Sequence, residues 1–178
     1  FHSDPIAIVI TSSIEDLQAI DEVAIDNHVA LVPSGGRTGL SGGAVAKQHE
    51  IVVAFDRMNK ILNFDAVDRQ VICQPGVITE HLQQFADDND LFYPVDFSSS
   101  GSSQIGGNVA TNAGGVKVIR YGMTRNWILG MKVVTGTGEV LDLNRGLIKN
   151  ATGYDFRHLF IGSEGTLGLI VELTVALC

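Results

Sequence analysis

Cysteine is scarce in this 178-residue chain, and the two that occur, Cys73 and Cys178, lie far apart with no CxxC pair. That excludes a disulfide framework or a cysteine-based zinc or redox motif as the basis of the fold. Cys73 follows Val71 and Ile72 and is expected to be a buried, inert thiol. Basic charge is also short: 12 Lys and Arg stand against 20 Asp and Glu, a formal net charge of −8, and the cations form no cluster. Nucleic acid and anionic membrane surfaces are poor partners for such a chain. No apolar run reaches the length of a membrane span, and no secretory signal opens the sequence. The first residue is Phe1 rather than Met and the last residues still read as strand, so a piece of a longer protein is expected.

What is present is an ordinary globular composition, 45% apolar and 18% charged, with one anomaly. Of 20 glycines, 13 fall in three short windows, residues 35–43, 101–115 and 162–168. Glycine destabilises a fold wherever unusual backbone angles or close approach do not require it. Three concentrations suggest a backbone folded closely around a ligand.

Between these windows the periodicity alternates. Residues 6–10 read as a strand, and Ser12-x-x-Glu15 as a capping box opening a helix to about Asn27. Strands follow at 29–32 and 51–55, which suits a small parallel sheet. Further strands are expected at 61–64 and 71–74 around a polar turn at Val67-Asp68-Arg69, then a helix over 79–89 burying Leu82 and Phe85. The Ser/Gly run at 98–103 reads as a subdomain junction ordered by its ligand. A short helix at 105–113 precedes a hairpin of 127–135 and 139–143 across Gly136-Thr137-Gly138. A short helix near 155–160 and a last strand over 169–177 close the chain. The expected fold class is α+β, with subdomains of about 1–93 and 94–178.

The first window, Pro33-Ser34-Gly35-Gly36-Arg37-Thr38-Gly39-Leu40-Ser41-Gly42-Gly43, directly follows a strand. Successive bare N–H groups can converge into an anion nest, and Thr38, Ser41 and Arg37 add donors. It is neither a P-loop, which needs Gly-Lys-Ser/Thr, nor a GxGxxG dinucleotide turn. Asp56, 20 residues beyond Gly36, has the ribose-acid spacing of such a turn only by coincidence. A mobile loop without ligand is the alternative reading. The second window, Ile105-Gly106-Gly107-Asn108-Val109-Ala110-Thr111-Asn112-Ala113-Gly114-Gly115, carries only small or amide residues in its interior. Tight helix packing explains Ala110 and Ala113, whereas Asn108 and Asn112 need polar partners that a ligand could supply. Tyr121-Gly122 follows at an expected loop position. The third window, Gly162-Ser163-Glu164-Gly165-Thr166-Leu167-Gly168, places a carboxylate between glycines or is a plain helix-to-strand turn.

Taken in order, these windows resemble the FAD-binding domain of the vanillyl-alcohol oxidase / para-cresol methylhydroxylase flavoproteins. IGGNVATNAGG followed by RYG, and TGYDFRHLFIGSEGTLG, resemble the D-2-hydroxy-acid dehydrogenases of that family, of the 2-hydroxyglutarate, lactate or glycolate type. The resemblance runs over about residues 5–177. It implies that Pro33, Gly35, Gly36, Arg37, Thr38, Gly39, Leu40, Gly42 and Gly43 cradle the FAD pyrophosphate. It places Pro75-Gly76, Val95-Asp96 and Ser102 near the cofactor. Gly106, Gly107, Asn108, Thr111, Asn112, Gly114, Gly115, Tyr121 and Gly122 would surround the ribityl chain and ring. Glu164, Gly168, Ile170 and Val171 would line the adenine side. Some members hold flavin covalently through a His in the first loop, where Arg37 stands here, so non-covalent FAD is expected. His2, His28, His49, His81 and His158 are read as surface or satisfied core groups, and no metal site is expected.

The resemblance further implies a C-terminal cap domain carrying the substrate-binding cations and the catalytic base, an oxidisable hydroxy acid and an electron acceptor as partners. The catalytic residues are then expected outside this chain. The expected compartment is the cytoplasm, or a membrane periphery reached through the acceptor. A flavin-carrying electron-transfer subunit, a reductase of the UDP-N-acetylenolpyruvoylglucosamine type and a structural domain with vestigial loops stand as alternatives.

Overall fold

A computed structural model describes residues 3–178. His2 and its expected surface role lie outside the described residues. The chain opens with β1 (Ala7–Ile10), α1 (Ile14–Asp26), β2 (Ala30–Ser34) and β3 (Glu50–Ala54). These strands form a three-stranded sheet in the order β1-β3-β2, parallel throughout, with Val9 beside Val53 and Ser34 beside Ala54. β3 is central, and its Val52, Val53 and Ala54 are buried accordingly.

The helix is capped one residue later than the expected Ser12–Glu15 box. Ser13 is the N-cap, and its Oγ accepts from the Asp16 N–H at 3.0 Å. The Asp16 carboxylate reaches back to the Ser12 N–H at 3.1 Å. Asp16 is the third helical residue, and its carboxylate takes the N–H of the residue ahead of the N-cap.

The larger sheet contains β4 (Ile61–Asp65), β5 (Gln70–Cys73), β6 (Ile128–Thr135), β7 (Val140–Leu143) and β8 (Gly168–Ala176). Its order is β4-β5-β8-β6-β7, with every pair antiparallel. β5 thus pairs with β8 from the second half of the chain and carries β4 at the sheet edge. Their turn is closed by Asp65 Oδ1, which accepts the N–H groups of Val67 and Asp68 at 2.9 Å each.

Helix α2 (Thr79–Asp87) lays Leu82 and Ala86 on this sheet, and Phe85 meets Phe64 edge-on with ring centroids 5.3 Å apart. Cys73 is fully buried in the same core, and burial pushes its thiol up to about 12, with nearby Glu172 adding to the effect. Short helices α3 (Ile105–Ala110), α4 (Val118–Tyr121) and α5 (Arg157–Phe160) complete the fold, with a 3-10 turn at Thr124–Trp127. Tyr121 therefore ends a helix rather than occupying a loop, and Gly122 caps that helix at φ +76°.

A second core cluster joins the two sheets. Leu17 of α1 packs with Val53, Phe55 and Met58 from the small sheet's side and with Val134, Leu169 and Val171 from the large one. Truncating a side chain as buried as Leu17 to Ala costs roughly 2–5 kcal/mol. Protein hydrogen bonds hold the junction at 98–103: Thr79 N–H donates to the Ser103 carbonyl at 2.9 Å, and Glu80 N–H to that of Ser100 at 3.1 Å. No helix among the described residues is long and apolar enough to cross a membrane.

Candidate cofactor site

The first glycine window leaves β2 at the carboxyl end of the parallel strands, where bare N–H groups are available to a ligand. It lies directly on the 102–103 segment. A Cβ at Gly36 would overlap the Ser102 carbonyl oxygen, so only glycine permits this approach. The third window is bound to the second by backbone: Gly162 N–H donates to the Val109 carbonyl at 3.1 Å and Glu164 N–H to that of Ala110 at 2.9 Å. Ser41 Oγ donates to Glu164 Oε2 at 3.3 Å and ties in the first window. Arg37, Asn112 and Glu164 hold left-handed backbone, at φ +57°, +48° and +52°. Such angles cost non-glycine residues on the order of 1 kcal/mol each, and they persist where surrounding contacts fix them.

Together the windows enclose a cavity of about 700 Å³, within the range of cofactor and ligand sites. Apolar side chains including Ile8, Val52, Phe55, Phe97, Leu169 and Ile170 line it. Among the described residues, Arg37 and Glu164 are the only charged side chains in its wall. Arg37 Nη2 lies 3.7 Å from Asp56 Oδ1, so the residue at ribose-acid spacing is engaged at the rim.

Of the residues singled out from sequence, Pro33, Gly35, Gly36, Arg37, Thr38, Gly39, Gly42, Gly43, Pro75, Gly106, Gly107, Asn108, Thr111, Gly114, Glu164, Gly168 and Ile170 line the cavity. The others lie elsewhere. Leu40 points into solvent, Val95 and Val171 are core, and Gly76 packs against the Phe55 and Met58 carbonyls. Asp96 pairs with Lys117 at 3.0 Å, and its carbonyl closely faces Gly115. Ser102 supplies the floor under Gly36. Tyr121 stacks edge-on with Phe92 beside a separate hollow, next to Gly122.

Protein groups take up one end of each of the two amides. Asn108 Nδ2 donates to Thr79 Oγ1 at 2.6 Å, and Asn112 Oδ1 accepts the Arg125 N–H at 3.1 Å. His28, His49, His81 and His158 are exposed and away from the cavity, His158 within reach of Arg125 and Asp155. Sequence reasoning missed Phe55, Phe97 and Gln104. Nothing in a single sequence shows which face of β3 is open, and the serine run hid the residues around it.

The sequence pattern of the FAD binding domain family matches residues 5–144. The chain belongs to that family. This FAD-binding domain is 66% identical over 177 residues to "D-2-hydroxyglutarate dehydrogenase" of Stutzerimonas stutzeri (strain A1501), covering 99% of the chain and 38% of that protein. The mitochondrial D-2-hydroxyglutarate dehydrogenase of Arabidopsis thaliana is 43% identical, over 94% of the chain and 30% of that protein. A D-lactate dehydrogenase of Anaerostipes hadrus is 42% identical, over 96% and 36%. Among solved structures, alkyldihydroxyacetonephosphate synthase superimposes with a TM-score of 0.84 at 27% identity, over 96% of the chain and 31% of that protein. The chain therefore spans between a third and two fifths of the curated relatives at either end of this comparison, and somewhat less of the plant one.

The cavity of this FAD-binding domain fits its cofactor by the chemistry of its wall. A Cβ built at Gly39 or Gly107 meets no protein atom within 4 Å, so both backbones face open space. A pyrophosphate needs positive charge or N–H donors and a flat ring an apolar face, and Arg37, the glycine backbone and the apolar residues of the wall are of those kinds.

Proposed function

We propose that the domain serves a flavin-dependent dehydrogenase that oxidises a D-2-hydroxy acid of the 2-hydroxyglutarate, lactate or glycolate type. The observation that carries this reading is the 66% identity to a D-2-hydroxyglutarate dehydrogenase across nearly the whole chain. FAD held there would supply the acceptor for the hydride of the substrate α-carbon, the hydroxyl proton going to a base outside this chain and the electron pair onward to a separate acceptor. The protein's part is to seat and shield that group. Pro33, Gly35, Gly36, Arg37, Thr38, Gly39, Gly42 and Gly43 would hold the pyrophosphate, Gly106, Gly107, Asn108, Thr111 and Gly114 would face the ribityl chain and ring, and Glu164, Gly168 and Ile170 would close the adenine side.

The substrate cations and the catalytic base belong to a cap domain in the part of the relatives' length beyond the matched span. The exposed apolar side chains Leu147, Ile148, Tyr154, Phe156 and Leu159 support such a cover. We place the enzyme in the cytoplasm, touching a membrane only through its acceptor, in keeping with the acidic surface.

The test is a visible absorption spectrum of the purified protein with and without added FAD, then after denaturation. Flavin bands that shift on binding and leave with the soluble fraction establish a non-covalent site. Absence of binding with excess FAD to the full-length protein would sink the reading.

A further inference from the structure

We infer that the open hollow beside α4 is a docking surface whose occupant is the stretch of the full-length chain directly following Cys178. The inference rests on the proposed continuation of the chain into a cap domain, and not on what fills the FAD cavity. The hollow has a volume of about 400 Å³ and shares none of its lining residues with that cavity. Phe92, Val116, Ile119 and Tyr121 give it an apolar wall, and Lys117 and Arg120 a charged edge. Val116 and Ile119 are 81% and 98% exposed. Helix α4 buries none of its four residues. A single helical turn is not stable in water by itself, so packing has to supply what its length does not. Ile119 is left uncovered where that packing is needed.

Two observations identify the cover. Cys178 and Phe92 exchange backbone hydrogen bonds: Cys178 N–H donates at 3.0 Å and Phe92 N–H at 2.6 Å. Residues opposed in this way project their side chains to the same face, so Cys178 stands on the rim of the hollow that Phe92 lines. In the D-2-hydroxyglutarate dehydrogenase of Stutzerimonas stutzeri the matched 177 residues are 38% of the length, which leaves ample chain to lie across it. About ten residues beyond Cys178 reach at most roughly 35 Å, enough to cross the hollow and leave it again. Charge suits such a segment too. Lys117 is taken by Asp96 at 3.0 Å. Arg120 stacks on the Tyr121 ring at 5.2 Å and has no carboxylate partner among the described residues, so it is available to an acidic side chain of the occupant.

The experiment is carbene footprinting of the purified full-length protein, read by mass spectrometry at two protein concentrations. Val67, 90% exposed in the turn between β4 and β5, is the labelled reference. The expected result is that Ile119 loses the label that Val67 keeps, at both concentrations. Photo-crosslinking from Ile119→p-benzoylphenylalanine should then join position 119 to the first ten or so residues after Cys178. Ile119 labelled as strongly as Val67 overturns the docking surface, and this arm needs no variant. Protection that vanishes on dilution assigns the hollow to a second copy and overturns the occupant. A crosslink to any other part of the chain overturns it as well. A full-length protein without flavin bands removes the FAD reading but leaves the footprint and crosslink as they are, so the two failures are told apart.

Discussion

Asp21 shows how a single residue away from the cavity shapes the molecule. It sits on the buried face of α1, against the turn at Gly138, and its Oδ2 has no hydrogen-bond partner. Burial raises its pKa above the ordinary carboxylate value, and the Gly138 backbone opposes this only in part. A raised folded-state pKa means that the native state holds the proton more tightly than the unfolded chain does. Stability is then lost as pH rises from the unfolded value through the folded one. Asp21→Asn is therefore expected to raise the melting temperature by roughly 1–3 °C at pH 7. The gain should vanish below the ordinary carboxylate range, which unfolding curves at pH 7 and pH 3 would show. At this scale the sequence was legible where backbone chemistry is unusual, as at Gly36, Gly107 and Glu164. It was opaque at Asp21 and Gln104, because ordinary polar residues acquire their meaning from neighbours more than 40 positions away.

Single elements were easier to locate than to assign to partners. The hairpin of β6 and β7 and helix α2 could be read from periodicity to within a residue or two, since their patterns are local. That β5 pairs with β8, placing Cys73 opposite Leu173, could not, because strand pairing over a hundred residues leaves no local trace. The 150–160 segment has a similar long-range dependence. Arg157 Nη1 donates to the carbonyls of Ile128 and Leu129 at 2.8 and 2.7 Å, fastening α5 to the first residues of β6. Asp155 orients the guanidinium through its own hydrogen bonds, and Arg157 holds the Asp155 carboxyl below its usual value. Arg157→Met should leave both carbonyls without this donor and destabilise the protein by about 2 kcal/mol. Limited proteolysis should then cut first within 150–160; an unaltered cleavage pattern would show that the fastening is dispensable. The depressed carboxyl contributes stability above its unfolded pKa that is lost as pH falls, so the variant's stability should depend less on acid pH.

At the scale of the molecule, the cavity exists because two sheets are held together by one apolar cluster around Leu17 and Met58. Its walls come from both sides: β2 and its glycine loop on one, α3 and the start of β8 on the other. A ligand in that position touches both sheets and should stabilise their docking, by about 2.7 kcal/mol at a hundred times its Kd, or on the order of 6 °C. Two glycines separate folding from binding in this arrangement. The Cβ of Gly107→Val enters open cavity, so the apo protein should melt within about 2 °C of wild type while FAD no longer raises the melting temperature. The Cβ of Gly36→Ala meets the Ser102 carbonyl, which cannot yield without moving the 102–103 segment. That variant should therefore melt lower even before cofactor is added. Thermal scans of both variants, with and without FAD, check the pair together. If Gly107→Val kept its FAD-dependent shift, the second glycine window would not face the cofactor. If Gly36→Ala melted like wild type, the first window would not rest on the serine segment, and the cavity would owe its shape to the ligand rather than to the chain.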